Sequence, residues 1–312
     1  MLKNQFTEFE EYAEAVIHAD LRLKLPSLVQ PKWELETECL GQIGLQFGKE
    51  GCGIIADGSA QKFGYTLFVP LAGIQFANGQ PLEDRRLLLM TPGGELAIAS
   101  KVPHDWCSIL IPFELLGYEQ QTQQDSHASV GKSWVIDIGS QAMKRLRQLL
   151  LELQHVFSSG STFPAMSAAM ESMQSELLTA CKPIIERTSS STQMMGRPAV
   201  NRREIIDRVM SQLESPENIN FSIDELINAA GVSERTLRNV FLEYYGLAPH
   251  RFFVVHRLHQ ARIALRIESP ESSTVTSIAA QFGFWHFGRF ACEYRKLFGE
   301  SPSQTLYRTN SH

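Results

Sequence analysis

The sequence lacks the features that mark membrane and secreted proteins. It contains no run of about 18 apolar residues, the length that a membrane-spanning helix requires. The chain starts with MLKNQFTEFEEYAEAV, which is acidic and amphipathic, whereas a signal peptide has a basic region followed by an apolar one. We therefore expect a cytoplasmic protein that has no membrane partner.

Cysteine is scarce and scattered. The chain has five cysteines, an odd number, and none of them forms a CxxC pair or a Cys/His cluster. This spacing predicts neither a disulfide framework nor a zinc site. We expect isolated buried or surface thiols, with a redox-sensing thiol as the alternative, at Cys39, Cys52, Cys107, Cys181 and Cys292.

A strong excess of basic charge is also absent. The chain carries 29 Lys and Arg against 34 Asp and Glu, a net charge of −5. The distribution is uneven, because residues 1–196 hold 15 basic and 22 acidic side chains whereas residues 197–312 hold 14 and 12. The C-terminal part is therefore the better candidate for binding a polyanion, although its charge alone does not establish this.

The N-terminal half of the chain has the pattern of a β-rich domain. A length of 312 residues suggests about two domains. Within region 1–138, short β-favouring runs bounded by Gly, Pro, Asn and Asp fill residues 33–113 and predict an all-β sandwich or barrel. Residues 8–19 have helical spacing, and TPGGELA at 91–97 is interpreted as a hairpin turn.

Helical periodicity follows the strand pattern. In region 139–187, apolar residues recur at helical spacing, which predicts two or three helices. Region 188–199 is rich in Ser and Thr and contains Gly and Pro, so we interpret it as a linker between domains. Region 200–312 consists of apolar stripes separated by capping residues and turn glycines, which predicts an all-α domain.

The C-terminal region contains one pattern twice. The first copy is SIDELINAAGVSERTLRNVFLEYYGLAP and the second is TVTSIAAQFGFWHFGRFACEYRKLFGESP. In each copy a hydroxyl residue begins a short helix, a glycine permits a turn with positive φ, and a second glycine ends a longer helix. Equivalent residues include Ser222 and Thr274, Gly231 and Gly283, Leu237 and Phe290, and Gly246 and Gly299.

This arrangement predicts two helix-turn-helix motifs, at 222–246 and 274–299. A long helix starting at Pro249 is predicted between them, because proline is well tolerated in the first helical turn. Its apolar residues suggest that it packs as a brace against both motifs, through Phe252, Val255, Leu258 and Ile263.

The region 200–308 resembles the DNA-binding domain of the AraC/XylS family of bacterial transcription regulators. The similarity lies in the segments GVSERTLRNVF…YGLAP, RLHQARIAL and GFWHFGRFACEYRKLFGESP. The resemblance implies sequence-specific binding to double-stranded DNA, regulation of transcription with RNA polymerase as a partner, and response to an effector bound by the other domain. It also implies a homodimer, and we assign dimerisation to region 139–187.

Helix geometry identifies candidate DNA contacts in the first motif. Residues Leu237, Val240, Phe241 and Tyr244 recur on one face and are predicted to be buried. The opposite face presents Arg235, Arg238 and Asn239, and the base-reading positions of the family fall on the same three residues. Arginine can pair with guanine and asparagine with adenine through two hydrogen bonds each, so we expect these residues to contact bases.

The second motif has fewer side chains that could read bases. Its predicted buried stripe is Phe290, Tyr294, Leu297 and Phe298. Of the outward residues, we expect base contacts from His286 and Arg289. We expect contacts to the DNA backbone or groove from Trp285, Gly288, Arg295 and Lys296.

The sequence says least about the role of the N-terminal domain. In the family this domain is often a cupin-like β-barrel that binds a small effector, and the predicted strands fit a cupin-like barrel or sandwich. Metal-dependent cupin enzymes need several His and a carboxylate, and the strand region offers only His104. We therefore expect no enzyme activity and no cofactor. The alternatives are an enzyme with an appended DNA-binding domain and a regulator controlled by a protein partner.

Overall fold

The computed structural model describes most of the chain in two compact units. The first unit comprises residues 1–23 and 30–195, and the second comprises 24–29 and 196–312. No helix among the described residues is both long and apolar enough to cross a membrane. The described residues are 2–26, 32–73, 75–117, 131–158, 164–190, 202–213 and 223–308.

The first unit is built on two antiparallel sheets. The larger sheet has the strand order β1-β3-β4-β11-β6-β9-β12 and the smaller has the order β2-β5-β10-β7-β8. The strands of the larger sheet are β1 (Leu2–Phe6), β3 (Trp33–Leu40), β4 (Ile43–Glu50), β6 (Gly64–Ala72), β9 (Arg86–Met90), β11 (His104–Pro112) and β12 (Ser133–Asp137). Those of the smaller sheet are β2 (Ala19–Lys24), β5 (Ile54–Ala60), β7 (Gln75–Ala77), β8 (Gln80–Leu82) and β10 (Glu95–Ser100).

Alternation along the strands gives the larger sheet two buried faces. One face carries Leu45, Leu67 and Ile109, which pack in one core with the helices α2 (Ser140–Ser158) and α3 (Pro164–Ser190). Residues that point to the other face of the sheet, among them Phe68 and Trp106, line an interior cavity together with residues of the smaller sheet. The predicted β-rich domain and the predicted helices are both present, and α3 continues through Pro183 as one helix.

Two local predictions in the first unit are wrong. The helix predicted over 8–19 spans only Phe9–Ala15, designated α1, and residues from Ala19 onward form strand β2. The side-chain amide of Gln46 explains where the helix ends. Its nitrogen donates to the carbonyl of Ala15 and its oxygen accepts the N–H of Ile17, both at 3.0 Å, so it satisfies backbone groups beyond the end of the helix.

The turn in TPGGELA does not form a hairpin. Strand β9 before it pairs with β6 and β12, whereas strand β10 after it pairs with β5 and β7. The turn therefore carries the chain from one sheet to the other. Gly93 adopts a φ of 66°, and the N–H of Gly94 donates to the carbonyl of Thr91 at 2.7 Å.

The second unit is helical in its described part. Its helices are α4 (Arg202–Leu213), α5 (Ile223–Ala230), α6 (Glu234–Tyr245), α7 (Pro249–Ile267), α8 (Val275–Gln281), α9 (Phe287–Phe298) and α10 (Pro302–Arg308). The long helix α7 contacts α6, α8 and α10, which confirms the predicted brace. Phe252, Val255 and Leu258 are buried as expected, but Ile263 is 46% exposed and does not belong to the packing face.

The boundaries of the second unit differ from the sequence interpretation in two places. Residues 188–190 of the predicted linker belong to α3, and positions 191–199 lie outside the described residues, as does the predicted cap Ser222. In addition, residues 24–26 pack within the second unit. There the N–H of Leu25 donates to Nε2 of His259 at 3.0 Å, and the ammonium of Lys24 lies 5.7 Å from the ring centre of Phe252.

Candidate nucleic-acid interface and interior cavity

The first helix-turn-helix motif consists of α5, a tight turn and α6. Gly231 has a φ of 64°, a conformation that strongly favours glycine, and the turn allows the chain to reverse between the helices. Ser233 then caps α6, because its hydroxyl oxygen accepts the N–H of Thr236 at 3.3 Å. Such a cap typically stabilises a helix by about 1 kcal/mol. Gly246 ends the helix with a φ of 65°.

Helix α6 separates its residues into a buried and an exposed face. Leu237, Val240, Phe241 and Tyr244 are all buried, as the periodicity predicts. The three candidate base-reading residues Arg235, Arg238 and Asn239 are all exposed. Leu242, next to them, is 43% exposed. The sequence-based face assignment therefore agrees with the structure, and α6 presents two guanidinium groups and one amide to solvent.

The second motif has the same design, and its first helix begins with a side-chain cap. The hydroxyl of Thr274 accepts the N–H of Ser277 at 3.1 Å, and the hydroxyl of Ser277 accepts the N–H of Thr274 at 3.0 Å. This reciprocal pair is a capping box at the start of α8. Gly283 in the turn has a φ of 76°, and Gly299 ends α9 with a φ of 77°.

Most of the predicted contact residues of the second motif lie at the start of α9 or along its outer face. Trp285 is 71% exposed, and His286 precedes the helix without making a side-chain cap. The other predicted contacts are all exposed, namely Gly288, Arg289, Arg295 and Lys296. The buried stripe holds Phe290, Tyr294 and Leu297, whereas Phe298 is only half-buried.

An ion pair holds the side chain of Lys296, on the outer face of α9, close to the protein surface. Lys296 Nζ lies 3.7 Å from a carboxylate oxygen of Glu293. The other oxygen of Glu293 accepts a hydrogen bond from Arg251 of α7 at 2.7 Å. This hydrogen bond lowers the pKa of Glu293, so the carboxylate stays ionised and the pair with Lys296 is maintained.

The two outer faces carry different chemistry at equivalent positions. Superposing the repeats on Leu237 and Phe290 places Gly288, Ala291 and Cys292 where α6 has Arg235, Arg238 and Asn239. Gly288 does not have a positive φ, and a Cβ added there would meet no atom of the described residues within 4 Å. The packing of the protein therefore does not require a glycine at this position.

A buried polar network fixes the position of α9. Arg262 of α7 donates to Glu300 Oε1 at 2.6 Å, and the hydroxyl of Thr305 donates to the same oxygen at 2.8 Å. The hydroxyl of Tyr294 lies 2.8 Å from that of Thr305, and burial raises the pKa of Tyr294 to about 12. The guanidinium of Arg262 also lies over the ring of Phe298, 4.7 Å from the ring centre, in a cation–π contact.

The first unit contains a cavity between its sheets that the sequence interpretation did not locate. The cavity is small, with a volume of about 50 Å³. Its walls are mainly apolar and include the aromatic side chains of Phe68 and Trp106. Two glycines of β4 make room for the rings of Trp106 and His18. A Cβ at Gly48 would lie within 2.5 Å of the Trp106 ring, and one at Gly44 would lie 2.8 Å from His18 Nε2.

A buried carboxylate is held in the cavity wall. Glu50 Oε1 accepts hydrogen bonds from Tyr12 at 2.5 Å and from Trp106 Nε1 at 2.9 Å. Its other oxygen forms an ion pair with His104 Nε2 at 2.9 Å, and His104 Nδ1 faces the carbonyl of Val102 at 3.1 Å. Burial alone would lower the pKa of His104, but attraction to Glu50 outweighs burial and raises it. Because both ring nitrogens face acceptors, His104 is an imidazolium.

The second cavity histidine is in the opposite protonation state. Burial lowers the pKa of His18 to about 4, so the ring is neutral near pH 7. Its Nδ1 lies 2.7 Å from the hydroxyl of Ser108. No group of three or more His, Cys, Asp or Glu side chains arranged to hold a metal occurs in the described ranges.

The cysteines differ in their surroundings, and Cys292 lies on the outer face of α9. Cys52, Cys107 and Cys181 are buried and Cys39 and Cys292 are exposed, and all five are free thiols. Burial raises the pKa of Cys52 to about 11 and that of Cys181 to about 12, which disfavours the reactive thiolate form.

Comparison with known proteins places this chain among bacterial regulators. A family profile described as a helix-turn-helix domain matches residues 226–308. The XylDLEGF operon transcriptional activator of Pseudomonas putida is 37% identical over 100 residues, which are 32% of this chain and 31% of that protein. This chain therefore spans about a third of the length of the first relatives it matches.

Two further comparisons cover more of the related protein. The XylDLEGF operon transcriptional activator 2 of Pseudomonas putida is 31% identical over 123 residues, which are 39% of this chain and 77% of that protein. A crystal structure of a probable AraC family transcriptional regulator from Rhodopseudomonas palustris shares 33% identity over 34% of this chain and 96% of that chain, with a TM-score of 0.31. With its two capped helix-turn-helix motifs joined by a bracing helix, the chain belongs to the AraC/XylS family of transcription regulators.

Proposed function

We propose that the protein is a sequence-specific DNA-binding transcription regulator whose activity is controlled by a small effector bound in the first unit. The observation that carries the proposal is the exposed face of α6, where Arg235, Arg238 and Asn239 project from a helix whose other face is buried. A helix with this distribution can enter the DNA major groove, where arginine and asparagine distinguish guanine and adenine.

In this proposal the first motif makes more of the base contacts than the second. Helix α6 reads bases through its three polar side chains. Helix α9 supports fewer base contacts, through His286 and Arg289, and its Arg295 and Lys296 contact phosphates. Trp285 and Gly288 lie against the groove or backbone. Phosphate contacts fix the position of the protein on DNA, and base contacts select the sequence.

Control by a small molecule is supported by the cavity between the sheets. A largely apolar cavity with a few polar groups is the usual form of a small-ligand site. This observation favours an effector over the alternative of control by a protein partner. The names of the relatives, which are transcription activators, favour a regulator over an enzyme with an appended DNA-binding domain.

The remaining parts of the proposal concern assembly and location. We assign dimerisation to region 139–187, RNA polymerase as the partner in transcription, and the cytoplasm as the location. Leu151, which is 53% exposed on α2 beside Lys144, Gln148 and His155, is the residue at which the first of these assignments is tested.

The proposal is tested by comparing a base contact with a phosphate contact. The operator is first selected by the protein from a random DNA pool, and affinity is then measured for it and for unrelated DNA. We expect Arg235→Ala or Asn239→Ala to weaken operator binding by about 1–3 kcal/mol and to relax base preference at one position. The matched control Lys296→Ala should weaken binding to both DNAs by similar amounts. Unchanged operator affinity in Arg235→Ala would contradict the role of α6.

A further inference from the structure

The cavity of the first unit has an electrostatic balance that restricts what it can bind. Its wall contains one buried anion, Glu50, and one buried cation, His104, and the two are joined as an ion pair at 2.9 Å. The remaining histidine, His18, is neutral because burial lowers its pKa to about 4. None of the described residues that line the cavity is Lys or Arg. The wall therefore offers no unpaired charge to a ligand.

An uncharged polar atom in the wall has neither a hydrogen bond nor an ion pair with the described residues. Thr66 on β6 is 1% exposed, and its Oγ1 makes no hydrogen bond to any described residue. By contrast, His18 is engaged with Ser108, and Glu50 Oε1 with Tyr12 and Trp106. An unpartnered buried hydroxyl is destabilising, and at this position in the cavity wall a bound molecule can complete its hydrogen bond.

The rest of the lining is aliphatic and aromatic. Leu21, Ile54 and Ile98 come from the smaller sheet, and Phe68 and Met90 come from the larger one. Such walls favour the alkyl or aromatic part of a ligand, which gains about 25 cal/mol for each Å² removed from water.

We propose that the cavity binds an uncharged, predominantly apolar small molecule that carries one hydroxyl or carbonyl group, and that Thr66 Oγ1 is the hydrogen-bond partner of that group. The inference rests on the proposed effector control and specifies its ligand class. A carboxylate would enter beside the Glu50 carboxylate without a cation of its own, and its desolvation would not be compensated. An ammonium group would approach Glu50 only by competing with His104, which already occupies it.

The test uses three probes that share one alkyl chain, namely 1-octanol, octanoate and octylamine. Their affinities for the full-length protein are measured by calorimetry at pH 7. We expect 1-octanol to bind roughly tenfold or more tightly than either charged probe, because only the charged probes lose solvation without compensation. Octanoate or octylamine binding as tightly as 1-octanol would overturn the proposal, and so would binding of none of the three.

Variants at Thr66 distinguish the contribution of the hydrogen bond to ligand affinity from the contribution of cavity shape. Thr66→Val keeps the volume and removes the hydroxyl, so we expect about a fivefold loss of affinity for 1-octanol. The unliganded variant should melt at a temperature at least as high as the wild type, because a buried hydroxyl without a partner has been removed. Thr66→Ser retains the hydroxyl and should retain most of the affinity. The control Thr179→Val changes an exposed threonine of α3 and should leave binding unchanged.

The same variants distinguish this inference from the proposed function. Full affinity of Thr66→Val for 1-octanol would overturn the role of Thr66. Operator affinity is measured in parallel, with and without saturating 1-octanol. If 1-octanol binds in the expected way and operator affinity does not change, the ligand class is supported and effector control by this class is contradicted. If octanoate binds in preference and changes operator affinity, effector control stands and the uncharged ligand class fails.

Discussion

At the residue scale, the clearest asymmetry is between the outer faces of α6 and α9. Three polar side chains on α6 correspond to Gly288, Ala291 and Cys292 on α9. The glycine is not required by φ or by packing, since a Cβ there would meet only open space. A helical glycine that the fold does not need is explained by a close approach of another molecule, and in the proposed function that molecule is DNA.

Gly288→Ala separates folding from DNA binding at this position. Alanine is favoured over glycine inside a helix, so we expect the free protein to gain up to ~1 kcal/mol of stability. If the DNA backbone approaches closely at this position, operator affinity should fall although stability rises. Thermal unfolding and operator affinity are measured on the same preparations. A variant with higher stability and unchanged operator affinity would show that the outer face of α9 does not touch DNA at this residue.

The face of each α6 residue could be predicted from the sequence, but the polar cluster around Glu50 could not. Helical spacing is local, so Leu237 and Phe241 identify the buried side of α6 without further information. The partners of Glu50, by contrast, are Tyr12, His104 and Trp106, which lie 38, 54 and 56 positions away. The register of β4 against β11 places His104 opposite Glu50 and Trp106 opposite Gly48, and Tyr12 comes from helix α1. No short-range pattern encodes that register.

At the element scale, the bracing helix α7 orders the second motif through charge as well as through apolar packing. Arg262 on α7 and Glu300 after α9 form a buried ion pair, and Thr305 on α10 shares the same carboxylate oxygen. Arg251, near the start of α7, pairs with Glu293 of α9. The position of α9 is therefore fixed at two points along the brace.

The buried pair and the exposed pair should differ in their contribution to stability. We expect Arg262→Met to destabilise the second unit by up to about 3 kcal/mol, because the Glu300 carboxylate loses its buried cation and keeps only the exposed Arg308, 3.2 Å away. The matched control Arg251→Met removes a half-exposed pair and should cost less than about 1 kcal/mol. Denaturant unfolding followed by circular dichroism at 222 nm, which reports mainly helix, measures both. Equal losses of unfolding free energy in the two variants would show that burial of the Arg262–Glu300 pair does not increase its contribution to stability.

Elements were predicted well where local chemistry sets their ends and poorly where distant residues do. The helices of the two motifs end at Gly246 and Gly299, and Thr274 caps α8, as their sequence signals indicate. Helix α1 ends early because of Gln46, a residue in another strand. Likewise, the glycine pair after β9 correctly marks a turn, but turn chemistry does not tell which sheet the next strand joins.

At the scale of the whole molecule, the proposed function assigns ligand binding to the first unit and DNA binding to the second. The change from strand to helix pattern and the repeated motif predict this division from the sequence. The sequence does not predict that residues 24–26 pack within the second unit. Their contacts there, between Leu25 and His259, join positions 234 residues apart, so no property of the local sequence reveals them.

In the proposed function, α2 contributes to the dimer contact. We expect Leu151→Glu to convert a dimer into a monomer, because it places a charge in the centre of the exposed α2 face. The sedimentation coefficient of the full-length protein at several concentrations measures this, and circular dichroism checks the fold. Lys144→Glu, on the same face, is a control for charge alone. A dimer that persists in Leu151→Glu would assign dimerisation to another surface.

The positions of the tryptophans make the two sites optically distinguishable. The chain has four tryptophans. Trp106, 5% exposed, lines the cavity and donates its indole N–H to Glu50, whereas Trp285, 71% exposed, stands at the start of α9. An indole in an apolar wall emits at shorter wavelength than one in water. A ligand in the cavity should therefore change the short-wavelength part of the emission spectrum, and DNA in contact with α9 should change the long-wavelength part. The unlabelled protein thus carries its own reporter at each site, and the order in which effector and DNA bind can be followed in one sample.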